Sequence, residues 1–351
     1  MQRKIASSEK PFFYDIDTIR KFIAGLSMSP ISILQGISGT GKTSLPVEFA
    51  KAIISEAVNY SGQGRDNTPN APYRICPVQS GWRDSMDLIG YYNSFEHKYK
   101  ETDFFQALYL ANLPKYKDTL FFIILDEMNL SRPEHYFAEF LSKLEQKEVE
   151  RYVSIKAPDE VLPVSISEGG NMLIPENVRF IGTANHDETT LEFAPKTYDR
   201  SNLMEMPKNQ ERNIQPTTDT YNVSYQWIKT QFEVRHKAYC EKFKEFINSD
   251  DVKMHLMEKG IGVGKRIEDQ ADRFISTFIE TGNPNCKDES LAKAADHLIT
   301  TRLFRTLRNR YDLDKHNLQS FKVDFDILFK ATFGAEPHNA DEMLNSEIDK
   351  K

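Results

Sequence analysis

Short apolar runs alternate with helically spaced segments over the first 210 residues of the chain. In the helix predicted over Asp15–Leu26, for example, Ile16, Ile19 and Phe22 recur on one side. Such alternation is typical of a parallel sheet covered by helices on both faces, and so of an α/β fold. The predicted strands are Ile31–Gln35, Tyr73–Val78, Leu120–Leu125, Val178–Thr183 and Leu203–Met206. Further helices are predicted at about Lys42–Asn59, Asp103–Asn112 and Pro133–Gln146.

This pattern changes twice, and each change suggests a boundary. Between Glu148 and Pro175, two alternating segments, Arg151–Lys156 and Val161–Ile166, flank a turn, which predicts an inserted β-hairpin. After about Pro207 the strand signals fade, and helical spacing follows at Tyr221–Ile247, Val252–Lys259, Lys265–Thr281 and Leu291–Tyr311. We therefore predict an α/β domain over residues 1–210 with the insert at about 148–175, a helical domain over 211–334, and a frayed polar tail over 335–351.

Composition and charge are those of an ordinary soluble protein. The longest apolar run, Leu120–Leu125, is too short to cross a bilayer, and the first ten residues lack an apolar signal core. Cys76, Cys240 and Cys286 are odd in number and widely spaced, which argues against a disulfide framework or a zinc site. The net charge of −7 argues against a chain that coats nucleic acid over its whole surface. We expect a cytoplasmic protein with no membrane partner.

The segment Gly36-Ile-Ser-Gly-Thr-Gly-Lys42-Thr43 is the clearest candidate for chemistry. It follows an apolar strand and precedes a helix, which is the context of a phosphate-binding loop rather than of a glycine-rich turn with an incidental lysine. Glycines let consecutive N–H groups point at phosphate oxygens, and the helix N-terminus adds positive potential. Lys42 would reach the β- and γ-phosphates, and the Thr43 hydroxyl would hold Mg²⁺. The predicted nucleotide-binding residues here are Gly36, Ser38, Gly39, Thr40, Gly41, Lys42, Thr43 and Ser44.

Two later strands end in polar residues, where ligands bind at the carboxyl edge of a parallel sheet. The strand Phe121–Leu125 is followed by Asp126 and Glu127, and Val178–Ala184 is followed by Asn185. Asp126 would hold Mg²⁺ through water, Glu127 would polarise the attacking water, and Asn185 would orient it. Each of these is common alone in α/β proteins. Downstream of a phosphate loop, they predict a nucleoside triphosphatase site.

With these motifs the chain resembles an AAA+ module, and within that class the McrB branch, the NTPase subunits of McrBC-type modification-dependent restriction systems. The resemblance covers about residues 12–210 well and the helical part only loosely. The phosphate loop is shared with many folds, whereas the blocks that begin at Asp126 and Gly182 are more specific. The segments that carry the resemblance are Ile33–Thr43, Val78–Asn93, Asp126–Phe137, Gly182–Thr190 and Pro195–Asn202.

The resemblance implies both a fold and an activity. The fold would be an AAA+ P-loop NTPase with a parallel five-stranded sheet, a β-hairpin insert and a C-terminal helical lid. The chain would hydrolyse ATP or GTP with Mg²⁺ at the subunit interfaces of a ring homo-oligomer, a hexamer. It would be the motor or regulatory subunit of a restriction or antiphage defence complex with a separate McrC-like nuclease subunit. DNA would be reached through that complex rather than by this chain alone.

Residue roles also follow from the resemblance. Asn185 falls on the sensor-1 position, and Arg200 falls where AAA+ modules carry the arginine finger that enters the neighbouring subunit's site. Arg266 falls near the sensor-2 position of the lid. The alternatives are a local ion pair between Arg200 and Asp199, and an exposed helix position for Arg266.

The sequence departs from the best-known McrB proteins in two places. Residues 184–190 lack the arginine of the sensor-1 block, and Glu188 stands where those proteins have Asp. That block accompanies the use of GTP, so ATP and GTP both stay open. About 30 residues precede the phosphate loop, too few for a DNA-reading domain. We therefore expect target recognition in another subunit or in a part of the protein beyond this sequence.

Other readings of the chain stay open. It could be a MoxR-like or dynein-related remodelling chaperone that acts on proteins, or a nucleotide-gated switch with negligible turnover, against which Glu127 argues. Two further groups have a functional and a structural interpretation. The aromatic residues Trp82, Tyr91 and Tyr92 would either face a central pore or pack a loop on the sheet. The arginines Arg302, Arg305, Arg308 and Arg310 would form either a local basic face or, as we expect, a solvated helix face.

Overall fold

The computed structural model describes residues 2–5, 13–53, 71–158, 161–162, 170–185, 191–207, 217, 221–308, 310 and 312–351. Two compact units make up the chain. The first consists of Met1–Ile19 and Ser29–Lys229, and the second of Arg20–Met28 and Thr230–Lys351. The division thus falls after Lys229 rather than near residue 210, and most of the first long helix belongs with the second unit.

The elements within the described residues are as follows. The strands are β1 (Ile31–Gly36), β2 (Tyr73–Pro77), β3 (Tyr91–Asn93), β4 (Lys98–Lys100), β5 (Phe121–Asp126), β6 (Tyr152–Ser154), β7 (Asn171–Leu173), β8 (Val178–Asn185) and β9 (Asn202–Glu205). The helices are α1 (Gln2–Ile5), α2 (Ile16–Met28), α3 (Ser44–Ile53), α4 (Ser85–Ile89), α5 (Asp103–Ala111), α6 (Pro133–Tyr136), α7 (Ala138–Lys143), α8 (Pro195–Arg200), α9 (Tyr225–Glu233), α10 (Lys237–Asn248), α11 (Asp250–Glu258), α12 (Lys265–Glu280), α13 (Lys287–Leu298), α14 (Lys315–Phe333) and α15 (His338–Asp349).

A parallel five-stranded sheet in the order β2–β5–β8–β1–β9 forms the centre of the first unit, as far as the chain is described. The α/β prediction is confirmed, and each predicted strand occurs within two residues of its expected ends. Strands β1, β5 and β8 are buried on both faces, which is why they read as continuous apolar runs. In the register, Gln35 lies opposite Ala184 and Leu125 opposite Gly182. The carboxyl ends of the three strands therefore meet at one edge of the sheet.

Two predicted helices of the first unit differ from expectation. The helix expected from Lys42 begins at Ser44, and residues 54–59 of that prediction lie outside the described residues. The helix expected over Pro133–Gln146 is interrupted at Phe137, whose φ of −107° and ψ of 6° leave the helical region. The Phe137 ring lies 5.1 Å from that of Phe140 and 5.5 Å from that of Phe180. Burial in this aromatic cluster overrides the local helical pattern.

Two hairpins extend the first unit. The predicted insert has an antiparallel pair, but β6 pairs with β7, so its partner strand is Asn171–Leu173 and not Val161–Ile166. Residues 163–166 of that prediction lie outside the described part of the chain. A second hairpin, β3 with β4, was not predicted, because each of its strands has only three residues.

The second unit is built around phenylalanines that repeat every four residues on α14. Phe321, Phe325, Phe329 and Phe333 are all buried, and Phe246 of α10 lies 5.0 Å from Phe333. This i, i+4 spacing is a clear helix signal, although α14 was missing from the predicted elements. The last turns of α2 join this unit, where Arg20 donates to the Phe278 carbonyl at 2.8 Å and stacks on the Phe278 ring.

Residues 338–349, expected within a frayed polar tail, form helix α15 instead. Ala340, Met343, Leu344 and Ile348 of this helix are buried, at the spacing of one helical face. Asp296 of α13 accepts hydrogen bonds from the Asn339 and Ala340 N–H groups at 2.8 and 2.9 Å. An acidic residue that satisfies the first N–H groups of a helix stabilises it, even when that residue comes from another part of the chain.

The arginine cluster does not form one solvated helix face. After α13 the chain continues through a π-helical turn, Ile299–Leu303, and a 3₁₀ turn, Phe304–Leu307. Arg302 and Arg305 lie in these turns and are partly buried, and Arg302 donates to Gln270. Arg310 forms an ion pair with Asp312, with Nε 2.6 Å from Oδ1.

Every helix within the described residues is too short or too polar to span a lipid bilayer.

Candidate active site

The loop between β1 and α3 has a backbone that only glycine adopts easily at two positions. Gly39 and Gly41 have φ of +82° and +81°, in the left-handed region that disfavours any side chain. Ser38 is exposed in this loop, Thr40 is buried, and Ser44 is the first residue of α3. The loop therefore has the conformation and position that a phosphate cradle at a helix N-terminus requires.

Lys42 folds back over this loop. Its side chain is buried, and Nζ donates to the Gly36 and Ile37 carbonyls at 3.0 and 2.8 Å. The Thr40 hydroxyl donates to the same Ile37 carbonyl at 3.0 Å. An ammonium held by neutral carbonyls gains more from a charged phosphate oxygen, because charge-assisted hydrogen bonds are stronger. The loop thus holds Lys42 close to where a phosphate would enter.

Asp126 lies at the centre of a hydroxyl network. Its Oδ1 accepts hydrogen bonds from the Thr43 and Thr183 hydroxyls, both at 2.7 Å. A hydroxyl and a carboxylate supply only oxygen ligands, and Mg²⁺ prefers oxygen ligands together with water and substrate phosphates. The donor set therefore fits Mg²⁺, with Thr43 and Asp126 as the residues that would hold it.

Thr183 is a site residue that the sequence predictions missed. It lies on β8, next to Asp126 on the neighbouring strand, and is 2% exposed. Its hydroxyl donates to Asp126 and accepts from the Glu127 N–H at 2.9 Å. It therefore links the backbone of one acidic residue to the side chain of the other. The signal available in the sequence was a polar residue inside an apolar strand, two positions before Asn185.

Glu127 has a strained backbone. Its φ of +54° and ψ of +48° place a non-glycine residue in the left-handed region. Its carbonyl accepts from the Leu130 N–H at 2.9 Å, and its N–H is held by Thr183. Such strain persists only where the surroundings enforce it, and it is concentrated at functional sites. The conformation turns the chain sharply at the carboxyl edge of the sheet.

Asn185 ends β8 beside Glu127. Its Nδ2 lies 3.4 Å from Glu127 Oε1. This contact is long, so the carboxylate can still accept a hydrogen bond from another donor. The Asn185 carbonyl accepts from Asn129 Nδ2 at 3.1 Å, which ties it to the turn after Glu127. The structure thus brings Thr43, Asp126, Glu127 and Asn185 together, as the motif spacing predicted.

The two predicted arginines belong to different units of the chain. Arg200 ends α8 and forms an ion pair with Glu145, with Nε 3.0 Å from Oε1, rather than the pair with Asp199 that was considered. The Ser29 hydroxyl donates to the Arg200 carbonyl at 2.6 Å. Arg266 is exposed on the first turn of α12 in the second unit. Its role at the lid stays a prediction.

The aromatic residues after β2 divide into two kinds. Trp82 packs edge-on against Tyr136, with ring centroids 5.2 Å apart, in agreement with the packing interpretation. Tyr91 is about half exposed and begins the β3–β4 hairpin, whose tip residue Phe95 is 95% exposed. A cavity of about 760 Å³ lies between this hairpin and the end of β2. Pro77 of its lining lies opposite Asp126 in the sheet register, but Lys42, Asp126 and Glu127 do not line it.

No model of a known protein family matches the chain, and no curated protein matches it.

Proposed function

We propose that this chain is an AAA+ nucleoside triphosphatase that hydrolyses ATP or GTP. One observation carries the proposal: Thr43 of the glycine-rich loop shares a 2.7 Å hydrogen bond with Asp126, and Glu127 and Asn185 lie directly beside that pair. Phosphoryl transfer to water needs a phosphate-binding loop, oxygen atoms that hold a metal ion, and a carboxylate that can accept a proton. These groups come together from the ends of three neighbouring strands. An incidental glycine-rich turn would not account for that arrangement.

The proposed roles follow from the contacts. Lys42 leaves its loop carbonyls and neutralises charge on the β- and γ-phosphates. The Glu127 carboxylate accepts a proton from the water that attacks the γ-phosphorus, as the bond to the β–γ bridging oxygen breaks. Asn185 holds that water in line with the bond that breaks. When bound by Thr43 and Asp126, Mg²⁺ supplies charge neutralisation at the phosphate oxygens.

We propose that Arg200 acts in trans, at the site of a neighbouring subunit. The end of α8 presents it at the surface, where Glu145 holds it by an ion pair that is partly solvent-exposed. Exposed ion pairs are weak, so Arg200 could leave Glu145 and contact a phosphate of the nucleotide bound to a neighbouring subunit. As the resemblance to AAA+ modules implies, we propose a ring homo-oligomer, a hexamer, with the nucleotide between subunits.

The biological setting follows from the resemblance of the motifs to McrB. We propose a motor or regulatory subunit of a restriction or antiphage complex, with a separate McrC-like nuclease subunit and with DNA bound through the complex. The alternative is a MoxR-like or dynein-related chaperone that remodels proteins. It is favoured by the exposed Phe95 at the tip of the β3–β4 hairpin, since such an aromatic residue suits contact with another polypeptide.

Turnover measurements test the activity and separate the two settings. Phosphate release from ATP and from GTP is measured with Mg²⁺, alone, with DNA, and with a candidate nuclease subunit. We expect turnover by the wild-type chain and none by Lys42→Ala, and stimulation by the nuclease subunit with DNA. Equal phosphate release by wild type and Lys42→Ala would refute the site. Stimulation by protein substrates but never by DNA would favour the chaperone.

A further inference from the structure

Tyr14 lies outside the motifs described above, yet its hydroxyl reaches the glycine-rich loop. The side chain is 4% exposed, and its hydroxyl donates a hydrogen bond to the Gly41 carbonyl at 2.8 Å. The same carbonyl accepts the Leu45 N–H at 2.9 Å, in the first turn of α3. One carbonyl of the loop therefore holds two donors, and one of them comes from a segment 27 residues earlier in the chain.

The direction of this carbonyl determines the direction of a phosphate-binding N–H group. The Gly41 C=O and the Lys42 N–H belong to one planar peptide, in which they point in opposite directions. Gly41 has φ of +81°, and a glycine allows its adjoining peptide to rotate more freely than other residues do. Because Tyr14 fixes the carbonyl on one side, the Lys42 N–H is directed to the other. Without this hydrogen bond, the Leu45 N–H alone would hold the carbonyl. The peptide would then rotate more easily, and rotation turns its carbonyl oxygen toward the phosphate.

Tyr14 is itself held in place. The Tyr14 carbonyl accepts from Gln2 Nε2 at 2.8 Å, and Ile5 of the same short helix is buried. Burial, and secondarily the nearby Glu48, raises the pKa of the Tyr14 phenol well above its usual range. The hydroxyl therefore keeps its proton and stays a donor at neutral and mildly alkaline pH.

We propose that Tyr14 is a positioning residue for nucleotide binding, which presets the Lys42 N–H toward the phosphates by anchoring the Gly41 carbonyl. The proposal rests on the nucleotide-binding function proposed above and adds a residue from outside the motifs. Tyr14 acts through the backbone of the loop, at the Gly41 carbonyl. It should therefore affect how tightly the nucleotide binds and not how fast the bound nucleotide reacts.

The test is Tyr14→Phe in the full chain, with ATP–Mg²⁺ and GTP–Mg²⁺ as separate probes. We expect the Kd of the bound nucleotide to rise about five- to tenfold, as for loss of one neutral hydrogen bond, and kcat to change less than about twofold. Hydrogen exchange of the loop, residues 36–45, should be faster in the nucleotide-free variant. The ring stays in place, and the Leu45 N–H still satisfies the Gly41 carbonyl, so the variant is expected to fold.

Tyr225→Phe is the matched control. The Tyr225 hydroxyl also donates to a backbone carbonyl at 2.8 Å, that of Glu176, outside the candidate site. This variant should leave nucleotide affinity and loop exchange unchanged. Unchanged affinity and exchange in Tyr14→Phe, or an equal loss of affinity in Tyr225→Phe, would overturn the role of Tyr14 while the wild type still binds nucleotide. Failure of the wild type to bind either nucleotide would overturn the proposed function, and this role with it.

Discussion

The side chains around Asp126 differ in what they contribute to the candidate site. Thr43 and Thr183 share one carboxylate oxygen of Asp126, so that its position is fixed before any metal or nucleotide binds. Among the described residues, the contact of the Glu127 side chain is a long one, to Asn185, while its backbone is held in a strained conformation. A carboxylate is suited to accept a proton when its backbone is fixed and its side chain is not engaged in a strong hydrogen bond. The fixed backbone means that the carboxylate has to move little during the reaction.

Replacement of Glu127 by Gln should separate binding from hydrolysis. We expect Glu127→Gln to bind ATP or GTP within about threefold of the wild type and to lose at least about a hundredfold in kcat, because the amide accepts no proton. Equilibrium binding and phosphate release measure the two effects. Glu139→Gln on α7 is the control and should keep full turnover. If Glu127→Gln hydrolyses nucleotide normally, another group removes the proton.

Thr183 offers a test that does not remove a charge. Thr183→Val should lower kcat about tenfold or more, because the Glu127 N–H loses its acceptor and Asp126 loses one of two donors. Thr183→Ser keeps the hydroxyl and should stay within about threefold of the wild type. Single-turnover hydrolysis at saturating nucleotide is the measurement. Equal rates for the Val and Ser variants would show that the hydroxyl has no part in positioning the acids.

Among the helices, α15 shows how an element depends on a contact from elsewhere. Its sequence is polar and acidic, but one face is apolar and its first N–H groups are satisfied by Asp296. Asp296 is itself buried, and burial raises the pKa of this carboxyl, although the N–H donors partly offset the effect. The carboxylate is retained in the core because it satisfies the helix N-terminus.

Removal of this carboxylate should loosen α15 and the second unit. We expect Asp296→Ala to lower the free energy of unfolding by about 1–3 kcal/mol, since two N–H groups lose their acceptor in a buried site. Urea unfolding and hydrogen exchange of residues 338–349 measure the change. Asp269→Ala, an exposed position on α12, should alter stability by no more than about 0.5 kcal/mol. Unchanged exchange in α15 would contradict the capping role.

In the proposed ring, a complete site requires a neighbouring copy of the chain. Lys42, Asp126 and Glu127 belong to one chain, and within that chain Arg200 is engaged with Glu145. If Arg200 acts on a neighbouring subunit, each active site combines residues from two copies. The negative net charge of the chain is consistent with DNA contact through other subunits of a complex, since phosphate contacts require clustered basic residues.

Mixing of inactive subunits tests this arrangement. Lys42→Ala and Arg200→Ala should each lose most turnover as homogeneous rings. In a mixture, an interface that pairs intact Lys42 of one copy with intact Arg200 of the next is whole, so turnover should partly recover. Phosphate release from mixtures of varied ratio measures the recovery, and Glu145→Gln should keep full turnover in rings of its own. Full turnover by Arg200→Ala rings, or no recovery in any mixture, would contradict a finger that acts in trans.

The parallel strands and the glycine-rich loop could both be predicted from the sequence, because both are local. A buried strand is a continuous apolar run, and the loop is one contiguous segment of eight residues, so neither needs a distant contact to be recognised. The same reasoning predicted that Asp126, Glu127 and Asn185 would meet, because parallel strands end at a common edge.

The distant residues that support these motifs are apparent only in the folded chain. Thr183 reaches Asp126 over 57 positions, Tyr14 reaches Gly41 over 27, and Asp296 reaches Ala340 over 44. Hydroxyl and carboxylate groups have no periodicity that reveals a partner, so pattern alone left them unassigned. The break at Phe137 has the same origin, because burial of an aromatic ring outweighed a local helix preference. Local pattern thus specifies elements, whereas side-chain hydrogen bonds and packing depend on which elements the fold brings together.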